Sequence, residues 1–177
     1  QITTSLNAAW QRWAMLAGFF FTKGVALALR VLVFQSIVYN ALLSSLEAFC
    51  LKSADANRLN VFLCKRVRAV LRGASTFDTS SKHIKAQTNA QILKTVRILP
   101  VHIELQVRRL LWLQRIVIDP AAAGALLAIW FGEFFGTAEH PWIDQLVLDL
   151  QSLAILEGFE DFALHISADN NYMALFE

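Results

Sequence analysis

Residues 13–46 constrain the fold more than any other part of the sequence, because these 34 residues are almost entirely apolar. Lys23 and Arg30 are the only charged side chains in the stretch, and it contains no proline. Apolar side chains recur at helical spacing along it, which predicts long helices that bury much of their surface. The longest uncharged run is 31–46, 16 residues, and a membrane-spanning helix needs about 18–20. The stretch therefore permits insertion into a membrane without demanding it.

The spacing of helix breakers predicts an all-α fold of five to seven helices, several of them strongly apolar and suited to embedding in a membrane. Three prolines and seven glycines interrupt the 177 residues, which leaves room for long helices and supplies too few turns for a β-sandwich. The Val and Ile clusters at 98–103 and 116–118 leave room for one short strand. The predicted helices cover about residues 6–22, 25–50, 55–72, 100–118, 120–136 and 141–156.

Composition divides the chain into three regions. Residues 1–72 are predicted as apolar helices that end in a basic amphipathic helix, 73–91 as a polar linker, and 92–177 as a helical segment with an acidic end. Residues 1–118 hold all sixteen basic side chains and four acidic ones, a formal charge of +12, whereas 119–177 hold ten acidic and no basic ones. This asymmetry predicts a basic surface that meets phosphates, an anionic membrane or the chain's own acidic tail.

Basic side chains gather on one side of the helix at 57–72, opposite a side rich in leucine, valine and phenylalanine. Basic amphipathic helices bind anionic membranes or nucleic-acid phosphates, or form the solvated face of a core. A second basic group lies at 108–115. The predicted contacts with phosphates or an anionic surface are Arg58, Lys65, Arg68, Arg72, Arg108 and Arg109, with Arg115 added if the partner is a nucleic acid.

No pattern in the sequence predicts an enzyme, a catalytic residue or a metal site. The chain lacks the Gly-x-Ser-x-Gly, Gly-x-Gly-x-x-Gly, phosphate-loop, His-Glu-x-x-His and Cys-x-x-Cys motifs. A zinc site needs several ligands within about 2.0–2.3 Å of one ion, and no two of the four histidines lie three or four residues apart. Cys50 and Cys64 are too few for a disulfide scaffold, and we expect them to pack as small apolar side chains.

Residues 44–49 read Ser-Ser-Leu-Glu-Ala-Phe, and residues 108–113 read Arg-Arg-Leu-Leu-Trp-Leu. These patches resemble the C-terminal tail of non-LTR (LINE-type) retroelement reverse transcriptases, which carries a Tyr-Gly-x-Glu-x-Trp-like motif and an Arg-Trp-Leu segment. Glu47 and Phe49 occupy the Glu and Trp positions, whereas two serines replace Tyr and Gly. The chain has no Asp-Asp pair and no Cys/His knuckle, so the resemblance implies a degenerate, non-catalytic tail that keeps a helical scaffold and a basic face.

Residues 12–17 read Arg-Trp-Ala-Met-Leu-Ala and are similar to the Arg-x-Ala-Met segment of chlorophyll-binding light-harvesting helices. That family places a magnesium-ligating Glu five residues before the Arg, where this chain has Asn7. The resemblance implies pigment contacts at Asn7 and Arg12, chlorophyll or lipid as the bound molecule, and an organelle membrane such as the thylakoid. The chain holds no second copy of the segment, so the family's paired-helix arrangement is not implied.

Small residues recur every four positions in two apolar stretches, so that another helix, a lipid chain or a flat pigment ring can approach the backbone closely. Aromatic side chains flank both stretches, a pattern typical of a membrane interface and equally of a soluble core. The predicted helix-packing positions are Ala14, Gly18, Gly124, Ala128, Gly132 and Gly136.

These features together predict a non-catalytic helical subunit, embedded in or lying against a membrane, with lipids and other subunits of a large complex as partners. A pigment–protein assembly of the photosystem type is one such complex. The deciding quantity is composition, 56% hydrophobic and 17% charged, since soluble domains average about 25% charged residues. The alternative is a nucleic-acid-binding tail of a reverse-transcriptase-derived protein. If the chain inserts, we expect the basic segment 52–97 on the side where insertion begins.

Overall fold

The computed structural model describes residues 1–72, 75–78, 83–118 and 141–156. Within these ranges the fold is all-α, as the sequence predicts, with one short pair of strands. The elements are α1 (Ile2–Phe21), α2 (Leu27–Val33), a π-helical segment (Phe34–Tyr39), α3 (Asn40–Leu43), a 3₁₀ turn (Leu46–Ala48), α4 (Ser53–Val70), β1 (Ser75–Asp78), β2 (His83–Ala86), α5 (Asn89–Val96), α6 (Val101–Ile118) and α7 (Pro141–Leu156).

The chain divides into two compact units, and α6 contributes to both. Unit 1 comprises Gln1–Leu46 and Leu51–Leu105, and unit 2 comprises Glu47–Cys50 and Gln106–Glu177. The division falls inside α6 and not in the polar segment 73–91, where composition predicts it. A change in composition marks only where the chain becomes polar. A compact unit ends where the residues of the chain begin to pack in a different core, and a continuous helix can extend across that boundary.

The helix predicted at 25–50 ends earlier than its apolar pattern indicates. The segments α2, the π-helix and α3 form one continuous helix over residues 27–43, and the backbone then turns at two serines. Ser44 has ψ 122° and Ser45 lies in the left-handed region with φ +63°. Serine hydroxyls compete for backbone hydrogen bonds and favour such turns, which explains a break without glycine or proline.

The segment 73–91, predicted as a linker, holds regular structure in its described part. Strands β1 and β2 pair antiparallel, with Ser75 opposite Ala86. Helix α5 begins with a capping box in which Thr88 Oγ1 accepts a hydrogen bond from the Gln91 backbone and Gln91 Oε1 accepts one from the Thr88 backbone. The pattern Thr-x-x-Gln is a sequence-readable helix start, so the linker prediction is corrected at this end.

The Val and Ile clusters that left room for a strand belong largely to α6, which includes residues 101–103 and 116–118. Helix α7 begins and ends where the sequence predicts, at Pro141 and Leu156. Proline is favoured in the first helical turn, where its missing N–H costs no hydrogen bond. The helix predicted at 120–136 and the acidic end beyond 156 lie outside the described residues.

Aromatic rings and leucines form the core of unit 1. Trp13 stacks on Phe20 with ring centroids 4.8 Å apart, and Phe34 meets both rings edge-on at 6.2 and 6.3 Å. Helices α4, α5 and α6 complete this core with buried leucines, valines and isoleucines. The largest fully buried side chains are Phe20, Phe34, Leu42, Leu43, Leu46, Leu59, Leu63, Ile92 and Leu105.

Two long-range hydrogen bonds hold the start of α6 against the rest of unit 1. The Tyr39 hydroxyl donates to the Leu99 carbonyl at 2.7 Å. Asn60 Oδ1 accepts a hydrogen bond from the Val101 backbone N–H at 2.9 Å. The first N–H groups of a helix have no partner inside the helix, so Asn60 supplies from α4 a cap that the local sequence of α6 does not provide.

We predict that Leu63→Ala lowers the free energy of unfolding by about 2–5 kcal/mol, because the Leu63 side chain is fully buried and its removal leaves a cavity. Val61→Ala is the matched control, since Val61 lies on the same helix with 66% of its surface exposed. We expect the control to change stability by less than about 0.5 kcal/mol. Urea unfolding followed by circular dichroism measures both, and equal losses would contradict the assigned inner side of α4.

Candidate functional site

The helix over residues 27–43 carries more apolar surface than unit 1 buries. Together with the following turn, Leu27–Ala48, it is 22 residues long with a mean hydropathy of 1.6, long and apolar enough to cross a membrane. It is the single such segment among the described residues, and 33% of its most apolar window is buried. Core helices of soluble proteins also have this length and composition, but they are mostly buried.

Two sides of this helix are apolar, and unit 1 uses one of them. Phe34, Val38 and Leu42 point into the core and are essentially inaccessible to solvent. On the other side three large apolar side chains are exposed, each by 39–60% of its surface. We call these three the outward face: Leu29, Leu32 and Ile37.

The polar side chains next to the outward face bond to their own helix. Ser36 Oγ donates to the Leu32 carbonyl at 2.8 Å, and Asn40 Nδ2 donates to the Ser36 carbonyl at 3.2 Å. A polar group that is already hydrogen-bonded costs much less to remove from water than an unpaired one. This side of the helix can therefore enter an apolar environment with a hydrogen bond already made by each of these two side chains.

Arg30 is the one charged residue within helix 27–43, and it points away from the outward face. Its side chain is 9% exposed, and Nη1 donates to the Val70 carbonyl at 2.6 Å. Val70 is the last residue of α4, where carbonyl groups lack helical partners and the helix dipole favours a cation. The helix consequently presents no charge on its apolar outer side.

A basic corner, which we define as Lys23 and Arg72, lies at the beginning of this helix. Arg72 Nη2 donates to the Thr22 carbonyl, which brings the end of α4 to the turn between α1 and α2. Lys23 lies in that turn and is exposed. Phe21, which precedes the turn, is 53% exposed. Basic residues at the end of an apolar surface are typical of proteins that contact lipid headgroups.

The structure distributes the predicted phosphate contacts over several environments. Arg58 and Lys65 are exposed on α4, and the Arg58 guanidinium lies 3.9 Å from Asp55, a surface pair worth little. Arg68 Nη2 donates to Asn89 Oδ1 at 2.8 Å. These residues, with Arg72, keep an exposed or partly exposed basic side on α4.

Arg109 does not fit its predicted role as a phosphate contact, because it is buried in unit 2. Its Nε and Nη2 donate to the two carboxylate oxygens of Asp149, the second at 3.1 Å, and both side chains are less than 8% exposed. Gln145 Nε2 also donates to Asp149, at 3.1 Å. The charge of Arg109 is therefore neutralised internally, whereas Arg108 on the same helix is partly buried.

The remaining predicted positions lie on α1 or outside the described residues. Asn7, Arg12 and Ala14 are exposed. A side chain built at Gly18 would meet nothing within 4 Å, so no described part of the chain covers this small-residue stripe. The other four packing positions, Gly124, Ala128, Gly132 and Gly136, fall in the range that the structure does not describe.

Unit 2 contains an apolar groove of about 500 Å³ between α6 and α7. Leu110, Leu111, Leu150 and Leu153 contribute to its walls. Trp112 of α6 and Trp142 of α7 also pack edge to face, with ring centroids 5.3 Å apart. Among the described residues no group of three or more His, Cys, Asp or Glu side chains is placed to hold a metal ion.

The two thiols differ in environment. Cys64 is buried in unit 1 and Cys50 is exposed in unit 2. Burial raises the pKa of the Cys64 thiol, with nearby Arg68 acting in the opposite direction. Partial desolvation also raises the pKa of Cys50, against an opposing effect of Arg109. A raised pKa lowers the thiolate fraction, so neither environment activates a nucleophile.

No family model matches the chain, and neither a curated protein nor a solved structure shows significant similarity to it.

We predict that Asp149→Ala lowers the free energy of unfolding by about 3–5 kcal/mol, because it leaves the buried Arg109 charge without a partner. The double variant Arg109→Met, Asp149→Leu should recover most of this loss, since well-packed apolar side chains can replace a buried ion pair. Asp55→Ala, which removes an exposed ion pair, is the control and should cost less than about 1 kcal/mol. A double variant no more stable than Asp149→Ala would contradict this account.

Proposed function

We propose that the chain is a non-catalytic helical subunit that lies against or inserts into a membrane through the outward face, within a larger complex. The observation that carries the proposal is that helix 27–43 is apolar on both sides while unit 1 covers only one of them. A helix that is apolar all round is typical of a membrane or of the interior of a large assembly.

The outward face supplies part of the free energy that attachment to a membrane needs. Fully burying a leucine or isoleucine is worth about 1.5–3 kcal/mol, and about half of each of these side chains is still exposed. The three together therefore contribute roughly 3 kcal/mol if an apolar phase covers them. The basic corner adds attraction to an anionic surface, about 1 kcal/mol for each charge near the headgroups.

Lipids and neighbouring subunits are the partners that this surface favours. Met15 on α1 is 75% exposed, and the open position at Gly18 would admit a helix or a lipid chain. Pigment binding at Asn7 and Arg12 stays a prediction that rests on the light-harvesting resemblance alone. Absorbance of the purified native complex in the red region tests it.

Binding to a nucleic acid is the second candidate function, favoured by the exposed Arg58 and Lys65 on α4. The group of basic residues predicted to contact phosphates loses one member in the structure, because Arg109 is buried against Asp149. Arg68 and Arg72 bond to neutral acceptors, the Asn89 side chain and the Thr22 carbonyl, and keep their charge. The buried Arg109 neutralises no phosphate, so the nucleic-acid proposal loses one predicted contact.

We predict that the full chain binds phosphatidylcholine vesicles and that Leu29→Asn, Leu32→Asn weakens partitioning by about tenfold or more, because the outward face loses apolar surface and gains amides that must be dehydrated. Val61→Asn is the control, since Val61 is as exposed as Leu32 but lies on α4. Vesicle co-sedimentation measures all three proteins. An equal loss in the control, or no binding by the unchanged chain, would argue against the outward face as the attachment surface.

Salt dependence separates the two candidate functions. Partitioning onto neutral vesicles through apolar contacts should change less than about twofold between about 50 and 200 mM salt, because no ion pairs are screened. Single-stranded RNA bound through phosphates should lose affinity steeply over the same range. Tight, salt-sensitive RNA binding combined with no binding to neutral vesicles would favour the nucleic-acid candidate instead.

A further inference from the structure

One guanidinium in unit 1 is held by aromatic rings. The Arg66 Cζ atom on α4 lies 4.1 Å from the ring centroid of Trp10, 5.1 Å from that of Trp13 and 5.4 Å from that of Phe62. We call these four residues the cation–π cluster. Trp13 is buried in the core, whereas Trp10 is 49% exposed, so the cluster reaches from the core to the surface.

The cation–π cluster leaves the Arg66 charge only partly compensated. Among the described residues Arg66 has no carboxylate partner, and its Nε is sealed from solvent without a hydrogen bond. Cation–π contacts contribute about 0.5–2 kcal/mol, less than an ion pair with hydrogen bonds provides to a desolvated guanidinium. Burial also lowers the pKa of Arg66. An anion bound to this side chain would therefore offset part of the free-energy cost of removing its charge from water.

The outer end of the guanidinium is the part that an anion can reach. Nε is the only nitrogen of Arg66 that is both sealed and without a partner, so the terminal nitrogens are not fully closed off from solvent. Contact with the Trp10 ring restrains the guanidinium, and a planar fork of N–H donors matches two oxygens of one phosphate. The side chain is therefore already restrained before a phosphate group binds.

The surroundings favour a phosphate that is attached to a membrane. Lys65 is exposed on the same helix and extends the positive potential beside Arg66. Trp10 offers a half-exposed indole, and tryptophan is enriched at the level of lipid headgroups because its ring is amphipathic. A phosphate on an apolar body matches both features, whereas a single strand held by base stacking would need several aromatic rings free to stack. Trp13 and Phe62 face Arg66 and are largely enclosed.

We infer that the cation–π cluster is a binding site for the phosphate of an anionic phospholipid, with Arg66 as the phosphate-binding residue and Trp10 as its positioning residue at the headgroup level. This inference rests on the proposed attachment to a membrane and adds a lipid preference to it. The phosphate of phosphatidylcholine is balanced by the choline cation of its own headgroup, so the site favours phospholipids whose phosphate charge is not balanced in this way.

Partitioning onto two kinds of vesicle tests the inference, one of phosphatidylcholine alone and one with a quarter of phosphatidylglycerol. We expect Arg66→Leu to weaken binding to the anionic vesicles by about tenfold, the loss typical of a charge-assisted hydrogen bond, and binding to neutral vesicles by less than twofold. Arg12→Leu is the matched control, since it removes one exposed charge from α1 and should weaken anionic binding by about threefold at most. Arg66→Lys should fall between wild type and Arg66→Leu, because lysine keeps the charge without the planar fork.

The unfolding midpoint by circular dichroism shows whether each variant folds. If Arg66→Leu does not fold, Arg66→Lys takes its place in the comparison with Arg12→Leu. Equal losses for Arg66→Leu and Arg12→Leu on anionic vesicles would overturn the phosphate site while leaving membrane attachment intact. Displacement of the wild-type chain from anionic vesicles by single-stranded RNA, with RNA binding lost in the Arg66 variants, would also overturn it. Failure of the wild-type chain to bind either kind of vesicle would overturn both the site and the proposed function.

Discussion

The hydrogen bond from Arg30 to the Val70 carbonyl is the contact on which the rest of unit 1 depends. Arg30 is the only charge within helix 27–43, and an uncompensated guanidinium on its outer side would raise the cost of covering that side with an apolar phase. Turned inward, the same group caps the C-terminal end of α4 and holds it beside the start of α2. Arg72 makes the complementary contact with the Thr22 carbonyl. One inward-facing cation thus leaves the outward face uncharged and places the basic corner at its end.

Two arginines show why counting charges in the sequence overestimates the basic surface. Arg30 is enclosed against a helix end, and Arg109 is paired with Asp149. The guanidinium group is weakly hydrated and planar, so it tolerates such burial better than the lysine ammonium does. The lysines at 23, 52, 65 and 94, by contrast, are all exposed. Part of the positive charge that the sequence assigns to a binding surface stabilises the fold instead.

Features encoded locally could be predicted from the sequence, and features encoded by distant contacts could not. Pro141 marks the start of α7 through its own geometry, and the amphipathic pattern of α4 follows from residue spacing. The inward turn of Arg30 depends on Val70, forty residues away, and the burial of Arg109 depends on Asp149, also forty residues away. No local pattern reports such partners. The outward face was likewise invisible, because apolar residues on both sides of a helix do not say which side the core takes.

The requirements of the fold do not explain the outward face. Unit 1 completes its core with Phe34, Val38 and Leu42 on the inner side, and exposed leucines add little to the stability of a folded chain in water. Polar residues at the three outward positions would leave those inner contacts unchanged. The neighbouring Ser36 and Asn40 point to the same conclusion, because their donors return to carbonyls of their own helix. A surface that is apolar where the core does not need it, and whose polar groups are already satisfied, is suited to a surrounding that offers neither water nor hydrogen bonds.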